Sequence, residues 1–350
     1  MNFYELAEKA LQLEKEGKRI IRLNIGDTGL PTPACAIEAA CSSMKSKKAK
    51  YVSSAGIPEL REAIAKKEGC SVDNVVVGPG SKALLYGLLS VLASKGDKVA
   101  FPSPYWPAYE MICKQLGLVQ VNLKGSMESD WAFGDLALDG AKVFMLCNPL
   151  NPTSSVYSPS VVEKCIKEVS DSGAYMILDE AYKELAFEPI PRYEGAIRVR
   201  SFSKEFNMEG WRLGYIVAPE EVAKKMISYN QITATCVPEF IQRGGIACLE
   251  DSSRIVSENR AIWKKRAAVA SAALSEAGFE FSPPASGIYA FATHPGIDDA
   301  WEFAIGMLDK GVAVAPGSPF GGYDKYLRIC LSQPEEFLEE AILKMGEALK

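Results

Sequence analysis

Apolar positions along the chain fall into two rhythms. Short β-branched runs occur at 75–77 (VVV), 98–101 (KVAF), 142–146 (KVFML), 174–178 (AYMIL), 198–202 (RVRSF) and 213–217 (LGYIV), and they read as strands. Between them, segments near 81–95, 105–116 and 159–172 carry apolar residues at helical spacing. This alternation predicts an α/β fold with a three-layer α/β/α arrangement, a mostly parallel sheet covered by helices on both faces. Active groups then gather at the carboxyl ends of the strands.

After about residue 220 the rhythm changes to long charged helices around 220–230 and 251–277, a short strand-like GIYAFA at 287–292 and YLRICLS near the end. We expect a large domain over 35–240 and a smaller α+β domain from 1–34 with 241–350. The first residues form an amphipathic helix (Phe3, Leu6, Ala7, Ala10, Leu11) followed by RIIRLNIG, and with no βα partner nearby they are expected to dock on the smaller domain. Glu5, Glu8, Glu14 and Glu16 argue against a transit peptide.

Composition narrows the chemistry. With 350 residues, 48% hydrophobic, and 39 basic against 44 acidic side chains, the chain can bury a large core and has no general attraction for nucleic acid or anionic membrane. No apolar run approaches a membrane span and no signal peptide is evident, so a cytoplasmic location is expected. Nine cysteines are scattered without a C-x-x-C pair, pointing to reduced thiols rather than zinc or disulfides. The one histidine, His294, sits in a T-H-P-G loop signal, which removes histidine triads and H-E-x-x-H metal sites. Lysine, carboxylates, tyrosine, cysteine or a cofactor must do the work.

Several strings place such groups at strand ends. In SFSKEFNMEGWRLGY, at 201–215, Lys204 follows a strand and Arg212 comes eight residues later. A lysine facing a pocket there suits imine chemistry, and Ser201 and Arg212 suit a phosphate, although on the residues alone both charges read as solvated. Asp179 ends the strand AYMILD and is followed by Glu180, Ala181 and Tyr182. In GPGSKA, Gly78, Gly80 and Ala83 match a dinucleotide loop, yet the next strand ends without the acidic residue such a site needs. The amides of Ser81 and Lys82 would serve a phosphate equally well.

Taken together these strings resemble the class I/II aminotransferases of pyridoxal-phosphate fold type I, from Gly26 to Arg328. The resemblance implies that Lys204 carries pyridoxal 5'-phosphate as a Schiff base, that Asp179 pairs with the pyridine nitrogen, and that Asn151 of NPLNPT and Tyr182 bind the phenolic oxygen. It assigns Ser81, Lys82, Ser201 and Arg212 to the phosphate, and to Trp106 of SPYWP, with Tyr105 a possible substitute, the ring stacked on the pyridine. Gly26 and Arg328 receive the substrate α-carboxylate, and Tyr51 reaches the phosphate of a neighbouring subunit in a homodimer with shared sites. Ser154 replaces the motif's glycine, so the backbone there is expected to differ slightly, and the usual Pro-Asp after Gly26 is absent.

The implied activity is transfer of an amino group from an L-amino acid to a 2-oxo acid, with aspartate or glutamate the expected substrate type. A lyase or decarboxylase on the same fold is the alternative. A nicotinamide oxidoreductase and a non-catalytic regulator stand further off.

Overall fold

In a computed structural model describing residues 3–46 and 50–350, the two rhythms become two sheets and a two-stranded pair. The strands are β1 (Ile21–Arg22), β2 (Val75–Gly78), β3 (Lys98–Ser103), β4 (Val119–Lys124), β5 (Val143–Cys147), β6 (Tyr175–Asp179), β7 (Ile197–Ser201) and β8 (Gly214–Val217). They are followed by β9 (Glu280–Phe281), β10 (Tyr289–Thr293), β11 (Val312–Ala313), β12 (Ala315–Pro316) and β13 (Tyr326–Cys330). Seven strands form the central sheet in the order β2-β8-β7-β6-β5-β3-β4, and only β8 runs antiparallel to its neighbours. The mostly parallel sheet is as expected.

Both faces of that sheet are covered. Val76 and Ile216 point into one core with Leu84, Leu88 and Met226, while their neighbours Val75, Val77, Tyr215 and Val217 enter another with Ile64, Phe202 and Cys248. This is the period-two alternation of a strand with a helix layer on each side. Helices lie close to their expected places: Ser81–Leu92, Pro159–Asp171, Glu220–Thr233 and Ser252–Glu276. The helix expected from 105 begins only at Ala108, because Pro104 and Pro107 cannot lie inside a helix.

A separate core gathers the chain's two ends. Leu6, Ala10, Leu13 and Leu23 pack with Trp263, Leu274, Tyr289, Ile329 and Met345, and β1 pairs in parallel with β11. Leu11 instead faces solvent at 38% exposure, and the side chain of Phe3 lies outside the described residues. Strands β12, β13, β10 and β9 make an antiparallel sheet beside this core. The 25-residue helix Ser252–Glu276 spans both regions: Ile255 and Val256 join the core under β2, whereas Trp263 and Leu274 join that of the ends. Among the described residues no helix is long and apolar enough to cross a membrane.

Candidate active site

The carboxyl ends of β5, β6 and β7 open into a cavity of roughly 600 Å³, walled on its far side by the N-terminal segment and by β10 and β13. Eleven of the twelve site residues expected from sequence line it. Asp179 ends β6 and Ser201 ends β7, so both are delivered by strand geometry. Lys204 follows on the short helix Phe202–Glu205, which Ser201 caps by accepting from the Ser203 N–H. Ser81, Lys82, Trp106, Asn151, Tyr182, Arg212, Gly26 and Arg328 complete the set. Tyr51 is the exception; it is 88% exposed and belongs to a different surface hollow.

Anion-binding character collects at one end. The helix Ser81–Leu92 starts there with its free N–H groups, and Ser201, Ser203 and Arg212 line the same cavity. Gly80 is held at φ +88°, and a Cβ there would come within 2.4 Å of Arg212 Nη2. The arginine lies against the glycine turn, and only a residue without a side chain leaves it that room. Arg212 is braced in turn by donating from Nη1 to the Glu209 carbonyl at 2.7 Å.

At the opposite end Asp179 is buried; among the described residues its side-chain partner is the Tyr109 hydroxyl, donating to Oδ2 at 2.7 Å, and its Oδ1 accepts from the Ala181 N–H. Burial pushes its carboxyl up to about 6, against the pull of those two donors. A buried carboxylate so placed is completed by a cationic partner. Asn151 Nδ2 donates to the Tyr182 hydroxyl at 3.1 Å, and that hydroxyl lies 3.2 Å from the hydroxyl of Tyr289. Burial holds the Tyr182 phenol well above its ordinary value and raises that of Tyr289 to about 12, so both remain protonated donors.

Arg328, on β13, is buried and sandwiched between the rings of Tyr289 and Phe320, at 4.5 and 4.8 Å from their centroids. Its Nη2 donates to the Asn24 carbonyl and its Nη1 lies 3.4 Å from Asn151 Oδ1. The Lys204 ammonium stands between these groups, donating to the Gly26 carbonyl at 2.5 Å and to Glu209 at 3.3 Å. Gly26 has no room for a side chain, since a Cβ would fall 1.9 Å from the Tyr289 hydroxyl. Trp106 packs edge-on to Tyr109 and carries Lys82 over its ring at 5.0 Å.

Ser154 keeps the left-handed backbone that glycine favours, at φ +61°. Its hydroxyl accepts from the Tyr289 N–H at 3.1 Å, and its carbonyl from Ala285 N and Ser286 Oγ. Residues of the site that were not expected include Ser203 beside Ser201, Tyr109 beneath Asp179, Tyr289 beside Tyr182, and Glu209, which links Lys204 to the Thr28 N–H. Tyr289 was legible as an inward position of GIYAFA. Tyr109 carried no motif.

The cavity thus brings a lysine, a buried carboxylate and a glycine turn with an arginine together at the strand ends of an α/β fold. Residues 18–344 match the model of aminotransferase class I and II, and the chain belongs to that family of amino-group transferases. It is 33% identical to an aspartate aminotransferase of Thermococcus kodakarensis, over 95% of this chain and 88% of the relative. It is 30% identical to an aspartate/prephenate aminotransferase of Thermus thermophilus, over 97% and 94%. Among solved structures, the Thermus thermophilus aspartate aminotransferase with maleate superposes with a TM-score of 0.94 at 28% identity, covering 100% of this chain and 97% of that one.

Proposed function

We propose that the protein is a pyridoxal-phosphate-dependent aminotransferase acting on acidic amino acids of the aspartate/glutamate type. The observation that carries this is the convergence of Lys204, Asp179, Arg212 and Arg328 on one cavity. The residues fit the cofactor: Asp179 is a buried carboxylate suited to a protonated ring nitrogen, and the Gly80–Ser81 turn with Ser201 and Arg212 suits a phosphate. When bound, pyridoxal phosphate supplies an electron-withdrawing ring that labilises the bonds at the substrate Cα.

The protein's own groups do the rest. Trp106 offers a stacking face, while Asn151 and Tyr182 donate to the phenolic oxygen. Arg328, backed by two rings, receives the α-carboxylate bidentately beside the backbone of Gly26. Lys204 would hold and move the Cα proton at its Nζ. The relatives named as aspartate and aspartate/prephenate aminotransferases support an acidic substrate side chain.

Incubation with a panel of amino acids, with and without 2-oxoglutarate, tests the assignment. Products that require the oxo acid, with aspartate and glutamate preferred over alanine and aromatic substrates, are expected; products formed without it would instead identify a lyase or decarboxylase. Arg328→Lys is expected to raise KM for the preferred amino acid by about 10 to 100-fold, the loss of one charge-assisted hydrogen bond of the fork. An unchanged KM would remove Arg328 from substrate binding.

We further propose a homodimer in which Tyr51 reaches the partner's phosphate site. Its exposure and its distance from its own chain's cavity support this. Light scattering should give twice the mass of one chain, and a monomer with full activity would refute it.

A further inference from the structure

Opposite the cavity, on the other side of the same strand ends, lies a buried layer of charge that the proposed chemistry leaves unused. Arg200 is its centre, 2% exposed. Its Nη2 meets Glu184 at 2.6 Å and Glu205 at 3.1 Å, and its Nη1 lies 3.7 Å from Glu180. Lys67 pairs with Glu205 and Glu184, and Lys183 with Glu180. Next to them Arg198 pairs with Glu68, which also accepts from the Tyr215 hydroxyl. Four acids thus face four bases.

The order of these residues along the chain gives the layer its meaning. Glu180 directly follows Asp179, Glu205 directly follows Lys204, and Arg200 itself directly precedes Ser201. In β7 consecutive side chains point to opposite faces, so Ser201 faces the cavity and Arg200 the charge layer; Glu180, just past the end of β6, and Glu205, on the short helix with Lys204, reach the same layer through their pairing with Arg200, so each cavity residue has a neighbour anchored there. Glu184, two residues beyond Tyr182, is held down to about 2; burial opposes this, and Arg200 and Lys67 outweigh it. A buried ion network is a weak source of net stability, since desolvation offsets attraction; what it supplies is a single geometry.

We propose that Arg200 is a positioning residue, which, through its fork to Glu180, Glu184 and Glu205, fixes the spacing of Asp179, Ser201 and Lys204 across the cofactor. This rests on the proposed pyridoxal phosphate chemistry. Among the described residues the ion pairs of Arg200 go to Glu180, Glu184 and Glu205, so cofactor placement and turnover are expected to respond more than KM.

The test uses the charge-balanced pair Arg200→Met with Glu205→Gln, which leaves three acids facing three bases, and Arg200→Lys, which keeps charge but loses the fork. Pyridoxal phosphate uptake is followed by absorbance, its attachment to Lys204 by borohydride reduction and peptide mass, and the steady-state constants are measured on the loaded proteins. In the paired variant we expect cofactor affinity and kcat to fall by about 10 to 100-fold, as sub-ångström misplacement does, with KM within twofold of wild type. Arg200→Lys should recover the melting temperature more fully than kcat.

Wild-type cofactor affinity and kcat in the folded paired variant would overturn the proposal, as would their retention in Arg200→Lys should the paired variant fail to fold. A wild-type protein that forms no adduct at Lys204 defeats the functional assignment itself, and Arg200 then has nothing to position.

Discussion

Lys204→Ala is expected to lower turnover by at least about 10⁴-fold, since in the proposed chemistry one amine serves as both the cofactor's covalent anchor and the proton carrier. The borohydride-trapped adduct should vanish with the activity. Folding should survive: the Gly26 carbonyl loses a donor, but Glu209 retains the Thr28 N–H. The loss of a partly exposed contact of this kind is worth about 1 kcal/mol. Mass spectrometry of the reduced protein together with a thermal melt separates these effects. A coloured, active variant would show that some other group holds the cofactor.

Asp179→Asn should move stability and activity in opposite directions. The folded protein without cofactor holds the Asp179 proton up to about pH 6, against an ordinary value of 3.8. The folded state therefore binds the proton more tightly than the unfolded chain. Its contribution is fully present below pH 3.8 and is lost as pH rises through 6, a difference of about 3 kcal/mol for some two pH units. A neutral amide does not suffer that loss. Cofactor-free Asp179→Asn should melt above the wild type at pH 7–8, and the difference should disappear near pH 4.

Turnover of the same variant should fall at least about 10²-fold, because the charge proposed to keep the ring nitrogen protonated is gone. Cofactor affinity of the wild type should weaken below about pH 6, as Asp179 takes up its proton. Titrating pyridoxal phosphate at pH 5 and pH 8 checks this. Equal affinity at both, with Asp179→Asn fully active, would detach Asp179 from the cofactor.

Much of this site was legible because strand ends and their following turns are local features. VFMLC and YMILD are nearly continuous apolar runs, and the groups that matter lie at or directly after the ends of these strands and of RVRS. What escaped notice depends on contacts between distant segments. The helix Glu239–Glu250 was hidden by Gly244 and Gly245, which look like helix breakers. In the fold they let the helix approach closely, since a Cβ on Gly245 would lie 2.5 Å from Leu213 and one on Gly244 3.0 Å from the Ala36 carbonyl. Strand β4, VQVNLK, is a half-exposed edge whose polar residues weaken its signal. Arg200 looked like any charge on a strand. Its partners come from residues 180, 184 and 205, and only tertiary structure reveals that they are buried together.

Ser154 has a mechanical consequence. It joins the NPLNPT turn to residues 285–289 at three points within a few residues of Asn151. The segment leading into β10 is thereby fastened to the turn that carries Asn151, so a shift of Tyr289 on one side is passed directly to Asn151 on the other.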